Sequence, residues 1–182
     1  PKQTGVQVIN NYDLEDLTEV IDWTPFFSSW QLKGKFPAIL EDEVVGVEAQ
    51  KLYNDARSML RQIIDEKWLT AKAVFGIFPA NATGGESIAV YDDESRGEPL
   101  EVLHFLRQQR QKAPGQPNYS LSDYIRAPEH GPDYIGAFAV TTGIGIEEHI
   151  QRFEAEHDDY HAILLKALAD RLAEALAERL HQ

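Results

Sequence analysis

Asp22 opens the run Asp22-Trp23-Thr24-Pro25-Phe26-Phe27-Ser28-Ser29-Trp30, which sets four aromatic residues around one proline. Aromatic faces attract cations such as a sulfonium or an ammonium, and a neighbouring carboxylate adds charge pairing. The plainer alternative is an aspartate turn cap beside a local aromatic cluster, and residue physics alone favours it, because aromatics are mostly core residues. Asp170 and Glu174 stand four apart in a helical pattern and therefore share one face. Like charges at that spacing repel by a few tenths of a kcal/mol unless a cation or a protonated group sits between them. The alternative here is a solvated acidic face with Arg171 and Arg179 as neighbours.

His157-Asp158-Asp159-Tyr160-His161 puts two imidazoles one helical turn apart, a spacing at which they can share a metal ion, as in a metal-dependent hydrolase. The glutamate that follows the first histidine in zinc-protease helices is absent, and no third ligand stands out. The other reading is a polar helix start, with Asp158 and Asp159 at the positive end of the helix dipole. Gly84-Gly85 and Gly143-Ile144-Gly145 are too short for a phosphate loop or a dinucleotide fingerprint. No Gly-x-Ser-x-Gly nucleophile motif occurs.

The elements that must position these residues follow from periodicity. Val6 and Val8 alternate in an arm or edge strand reaching about Asn11. Pro25 bars a central strand and biases Thr24 towards extended geometry. Val44, Val47, Leu52, Ala56, Leu60 and Ile63 recur at helical spacing, which predicts a helix over about Glu43 to Lys67. Ala73 to Phe78 and Ser87 to Tyr91 read as two strands of a hairpin about the Gly84-Gly85 turn. A helix is expected over Val102 to Gln111, ended by Pro114-Gly115-Gln116-Pro117. Tyr134 to Thr142 reads as a strand buried on both faces, followed by a helix near Glu147. A last helix is expected from about His157, with Ile163, Leu164, Leu168, Leu172, Leu176 and Leu180 as its stripe. The mixture is α+β. The chain stops inside this helical pattern without a stop signal, as a truncated domain would, although a C-terminal helix can also end this way.

The 182 residues suit one domain, and 43% of them are apolar. Cysteine is absent, which excludes disulfides and thiolate chemistry and suits a reducing cytoplasm. No apolar run approaches a membrane span, and no secretory signal opens the chain. The net charge of −13 argues against nucleic acid as a partner and favours a cationic ligand over an anionic one. Arg107, Arg110 and Lys112 are a local exception, readable as a solvated helix face or as a docking patch for an electron-transfer protein.

Several segments resemble one family. Asp-Trp-Thr-Pro-Phe-Phe at 22–27, Ile-Leu-Glu-Asp-Glu-Val-Val-Gly-Val-Glu-Ala-Gln at 39–50 and Phe-Pro-Ala-Asn at 78–81 are similar to the activation domain of cobalamin-dependent methionine synthase. Leu-Arg-Gln-Gln at 106–109, Asp-Tyr-Ile-Gly-Ala-Phe-Ala-Val-Thr at 133–141, His-Asp-Asp-Tyr at 157–160 and Lys-Ala-Leu-Ala-Asp-Arg-Leu-Ala-Glu-Ala at 166–175 continue the series in family order. The resemblance implies a mainly antiparallel twisted sheet with long flanking helices. It also implies a module of a methyltransferase that binds S-adenosylmethionine and reactivates oxidised cobalamin. The cobalamin is held by a neighbouring module of the same polypeptide, and zinc belongs to another module. The electron comes from flavodoxin or a diflavin reductase. By position, Asp22 matches the aspartate that contacts S-adenosylmethionine, and Asp170 and Glu174 match an Asp-x-x-x-Glu pair near the ligand and the cobalamin module. The family's Arg-Pro-Ala-x-Gly-Tyr segment, a further source of ligand contacts, is expected beyond residue 182.

Overall fold

A computed structural model describes Pro1 and residues 3–182. The chain divides into two compact units. One comprises Pro1–Val8 with Val74–Ala139, and the other Ile9–Ala73 with Val140–Gln182. The strands are β1 (Gly5–Tyr12), β2 (Thr70–Ala82), β3 (Ser87–Val90), β4 (Glu101–His104) and β5 (Asp133–Ile144). They form one sheet in the order β1-β2-β3-β4, with β5 also pairing β2. The helices are α1 (Leu14–Leu17), α2 (Trp23–Ser29), α3 (Gly46–Asp65), α4 (Ile146–Ala155) and α5 (Asp159–Leu180). The architecture is α+β, as expected. Among the described residues, no helix is long and apolar enough to cross a membrane.

In the first unit, β2 and β3 form the expected antiparallel hairpin, with Ala80 opposite Val90 and Ala82 opposite Ile88. Its turn needs left-handed backbone at Gly84 (φ 92°) and Gly85 (φ 60°), which glycine adopts without a Cβ penalty. The helix expected over Val102 to Gln111 does not form. Glu101–His104 is instead β4, antiparallel to β3, with Ile88 opposite Leu103. Four residues at an open strand edge gain a hydrogen-bond ladder and a place beside Ile88, and that outweighs a weak helical pattern. Ala80, Ile88 and Val90 are the buried centre of this unit, flanked by Phe78, Leu103, Phe105, Ile125 and Ile135.

In the second unit, α3 buries Ala49, Leu52, Ala56, Met59, Leu60 and Ile63. It starts later than its apolar pattern suggests. The Asp42 carboxylate accepts the Val44 and Val45 N–H groups at 2.9 and 3.0 Å, and the resulting turn leaves Val44 89% exposed. Val47, already inside the helix, lies off its buried stripe and is 81% exposed. Lys67, at φ 55°, ends the helix, and Trp68 N–H returns to the Ile63 carbonyl at 3.0 Å.

The last helix starts two residues later than expected. His157 sits at φ 56° before it, and the Asp158 carboxylate caps it by accepting the His161 N–H at 3.1 Å. Its core stripe is Leu164, Leu165, Leu168, Leu172 and Leu176, all fully buried. Leu165 thus takes the place expected for Ile163, which is 53% exposed: a helix face about 100° wide holds one of two residues two positions apart, not both. Strand β5 is not buried on both faces either, since its Gly136–Ala139 stretch is exposed. An unbroken apolar run implies two-sided burial only where both faces are covered. Thr142, at its far end, is buried and donates to the Ala169 carbonyl at 2.7 Å. Gly145 follows at φ 100°, and a Cβ there would lie 2.6 Å from the Trp68 carbonyl oxygen. The Gly143-Ile144-Gly145 sequence therefore serves close backbone packing.

Candidate functional site

Asp22 is the N-cap of α2. Its Oδ1 accepts the Thr24 N–H at 2.9 Å, satisfying one of the helix's orphan donors. Thr24 is helical rather than extended, because Pro25 falls in the first turn, where its missing N–H costs nothing. The aromatics after it turn inward: Trp23 is 8%, Phe26 1% and Phe27 0% exposed. Trp30 packs edge-on against Tyr160, with ring centroids 5.3 Å apart. The rings are therefore core, and the wall of aromatic faces beside Asp22 that the sequence suggests does not form.

What does form is an acidic cleft of about 480 Å³ between the α2 N-terminus and α5, lined by Asp22, Pro25, Arg171, Glu174, Glu178 and Gln182 among others. Asp22 and Glu174, 152 positions apart in sequence, share this cleft. Three carboxylates face one guanidinium there, an excess of two negative charges. Asp170 is not part of the lining. It lies beside the cleft and is tied to it through Arg171, whose Nη2 is 2.7 Å from Asp170 Oδ2 and 3.6 Å from Glu174 Oε1. Glu178 was not singled out from the sequence. Its signal was available, since Arg171, Glu174 and Glu178 follow the i, i+3, i+7 spacing of one helix stripe. A second cleft, of about 500 Å³, is lined by Trp23, Tyr53, Arg57 and Arg61. Its cations suit an anion. A third cleft, of about 450 Å³ and lined by Asp55, Arg152, Glu156 and Asp158 among others, is as acidic as the Asp22 cleft. Charge therefore leaves these two for a cationic ligand, and the Asp22 cleft is the one that holds residues the family resemblance matches to the ligand's surroundings.

His157 and His161 do not form a ligand pair. They fall on opposite sides of the α5 N-cap, so helical spacing does not apply to them. The His161 Nδ1 instead contacts Asp158 Oδ2 at 2.6 Å, and its ring stacks on Phe153. Among the described residues, no three histidine or acidic side chains converge as metal ligands.

Arg107 lies in irregular chain after β4, not on a helix face. It donates to Asp123 at 2.7 and 2.9 Å, to Glu86 at 3.1 Å and to the Asn118 carbonyl at 2.6 Å. These bonds commit it to bracing its own loop. The Arg107 guanidinium, helped by the Ser120 N–H, holds the Asp123 carboxyl at about 2. The unfolded carboxyl titrates higher, near 3.9. The pair's contribution is thus complete above the unfolded value and is lost as pH falls through about 2. Thermal melts should show Asp123→Asn flattening the fall in Tm between about pH 4 and pH 2.

Comparison with known proteins decides the family. The family model described as "Vitamin B12 dependent methionine synthase, activation domain" matches residues 13–182. The chain belongs to this activation-domain family. A crystal structure of the MetH reactivation domain bound to AdoHcy is 52% identical, with a TM-score of 0.92. The match covers 98% of this chain and 55% of that one. The chain thus spans little more than half the length of this fellow activation domain. The mixed sheet-and-helix fold expected of a methionine synthase activation domain is the fold observed.

Proposed function

We propose that this chain is the N-terminal part of a reactivation module of cobalamin-dependent methionine synthase. It would bind S-adenosylmethionine for the reductive methylation of cob(II)alamin held by a neighbouring module of the same polypeptide. The observation that carries the reading is the cleft in which Asp22 and Glu174 meet with an excess of negative charge. The AdoHcy-bound structural relative supports the choice of ligand class.

The donor set fits a cation. S-adenosylmethionine supplies a methyl group on a sulfonium, and it also carries an ammonium. Asp22, Glu174 and Glu178 are the groups that would pair with this positive charge, with Asp170 beside them. Capping does not exhaust Asp22, because a carboxylate offers about four acceptor sites and the helix uses one. Methyl displacement from a sulfonium leaves a neutral thioether and moves no proton. The side chains therefore need to orient and neutralise, and no general base is required. The cobalamin module is the proposed partner in cis, and flavodoxin or a diflavin reductase the proposed electron donor.

On the family resemblance, the domain continues into the Arg-Pro-Ala-x-Gly-Tyr segment, so the test uses a chain of the structural relative's full length. Calorimetric titration with S-adenosylmethionine should give saturable one-to-one binding that weakens with salt. A folded protein that takes up no ligand would end the proposal.

A further inference from the structure

We propose that Arg171 is a positioning residue, which bridges Glu174 to Asp170 and so holds the Glu174 carboxylate in the cleft for a cationic ligand. This rests on the reading of the cleft given above. The three side chains differ sharply in freedom. Asp170 and Glu174 are 68% and 67% exposed, whereas Arg171 is 13% exposed. The acids on their own would be mobile, and they repel each other at their i, i+4 spacing. The guanidinium is the least exposed member, and a single nitrogen, Nη2, donates a hydrogen bond to Asp170 at 2.7 Å and stands within ion-pair range of Glu174 at 3.6 Å. It is the cation that a like-charged pair at this spacing requires.

Its position also poses a conflict that separates two roles. Arg171 itself lines the cleft, where a positive charge opposes a cationic ligand. If its charge were all that mattered, removing it would leave three carboxylates unopposed and tighten binding. If it positions Glu174, removing it releases the acid pair to repel, and binding weakens despite the more negative cleft. The two roles predict opposite signs.

The test compares S-adenosylmethionine with its neutral thioether product, S-adenosylhomocysteine, by calorimetry on a chain of the structural relative's full length. For Arg171→Gln, affinity for the sulfonium should fall about tenfold, the scale of one charge-assisted hydrogen bond. Affinity for the thioether, which keeps the ammonium but lacks the sulfonium charge, should change less than about threefold, because Glu174 is assigned to the sulfonium and Asp22 and Glu178 remain for the ammonium. Arg171→Lys, which keeps the charge but loses the fork, should lie between wild type and Arg171→Gln. Adding Asp170→Asn to Arg171→Gln should recover part of the loss, since it removes the repulsion that frees Glu174. Unchanged or tighter sulfonium binding in Arg171→Gln overturns the proposal. So does an equal loss for both ligands with a lowered Tm, which is the mark of a purely structural arginine. If Arg171→Gln does not fold, Arg171→Lys decides, and sulfonium affinity equal to wild type overturns the proposal. If the wild-type chain binds neither ligand, the reading of the cleft fails and this inference with it. If wild type binds and the variants do not discriminate, this inference alone fails.

Discussion

Phe27→Ala is expected to destabilise the helical unit by about 3–5 kcal/mol, the range for emptying a buried aromatic site. Phe27 is 0% exposed. Its ring lies 5.6 Å from Phe26 in an edge contact and 6.3 Å from Phe36 in a stacked one, with Tyr53 also at 6.3 Å. Three rings thus pack on this one position, and each of them also packs on Trp23, so none can collapse into the gap without giving up another contact. The Phe27 carbonyl also closes the end of α2, accepting from Trp30 and Leu32 at 3.1 and 3.0 Å. Those backbone bonds survive the substitution, so the loss reports the side chain. Urea unfolding should show the midpoint fall with little change in m. A loss under about 1 kcal/mol would place the ring outside the core.

The same cluster shows what local sequence can and cannot decide. Six residues reading Asp-Trp-Thr-Pro-Phe-Phe have two solutions, a cation cage or a capped helix with its rings inward. Composition favours the second, and that is how they fold. The long helices were legible because their apolar residues repeat over about three to four turns, from Ala49 to Ile63 and from Leu164 to Leu176. Their ends were less so. Val44 reads as part of the apolar pattern of α3, but the side-chain bonds of Asp42 redirect the chain there, and Val47 falls on the solvent face of the helix. Residues 102–111 failed for a different reason. A four-residue strand such as β4 gains its stability from a partner edge, β3, whose offer no local window contains.

The site divides along the same line. Asp170 and Glu174 share a face by spacing, and the helix delivers that. The meeting of Glu174 with Asp22 is tertiary, and no periodicity could bring together residues 152 apart. Only the family resemblance pointed to it. Arg171 was visible as a neighbour of the acid pair, but its role depends on how deeply it is buried, which the sequence does not encode. The histidines show the converse. Their spacing of four implied a shared helical face, and a left-handed residue at His157 removed it.

Asp22→Asn should separate the two tasks assigned to this one carboxylate. Asparagine caps helices about as well as aspartate, so melting should change by less than about 0.5 kcal/mol. The charge is nevertheless gone. Binding of S-adenosylmethionine should weaken by about 1.5–3 kcal/mol, tenfold to more than a hundredfold, the worth of a hydrogen bond to a charged group. Asp22→Ala loses both functions. It should show the same binding defect and in addition cost about 0.5–2 kcal/mol of stability, because the Thr24 N–H loses its acceptor. Titration and thermal melts on the three proteins give the answer as a pattern. Asparagine with weak binding and normal melting marks Asp22 as a ligand-pairing group that also caps. Asparagine indistinguishable from wild type in both assays leaves Asp22 as a cap and nothing more, and charge recognition in the cleft then falls to Glu174 and Glu178.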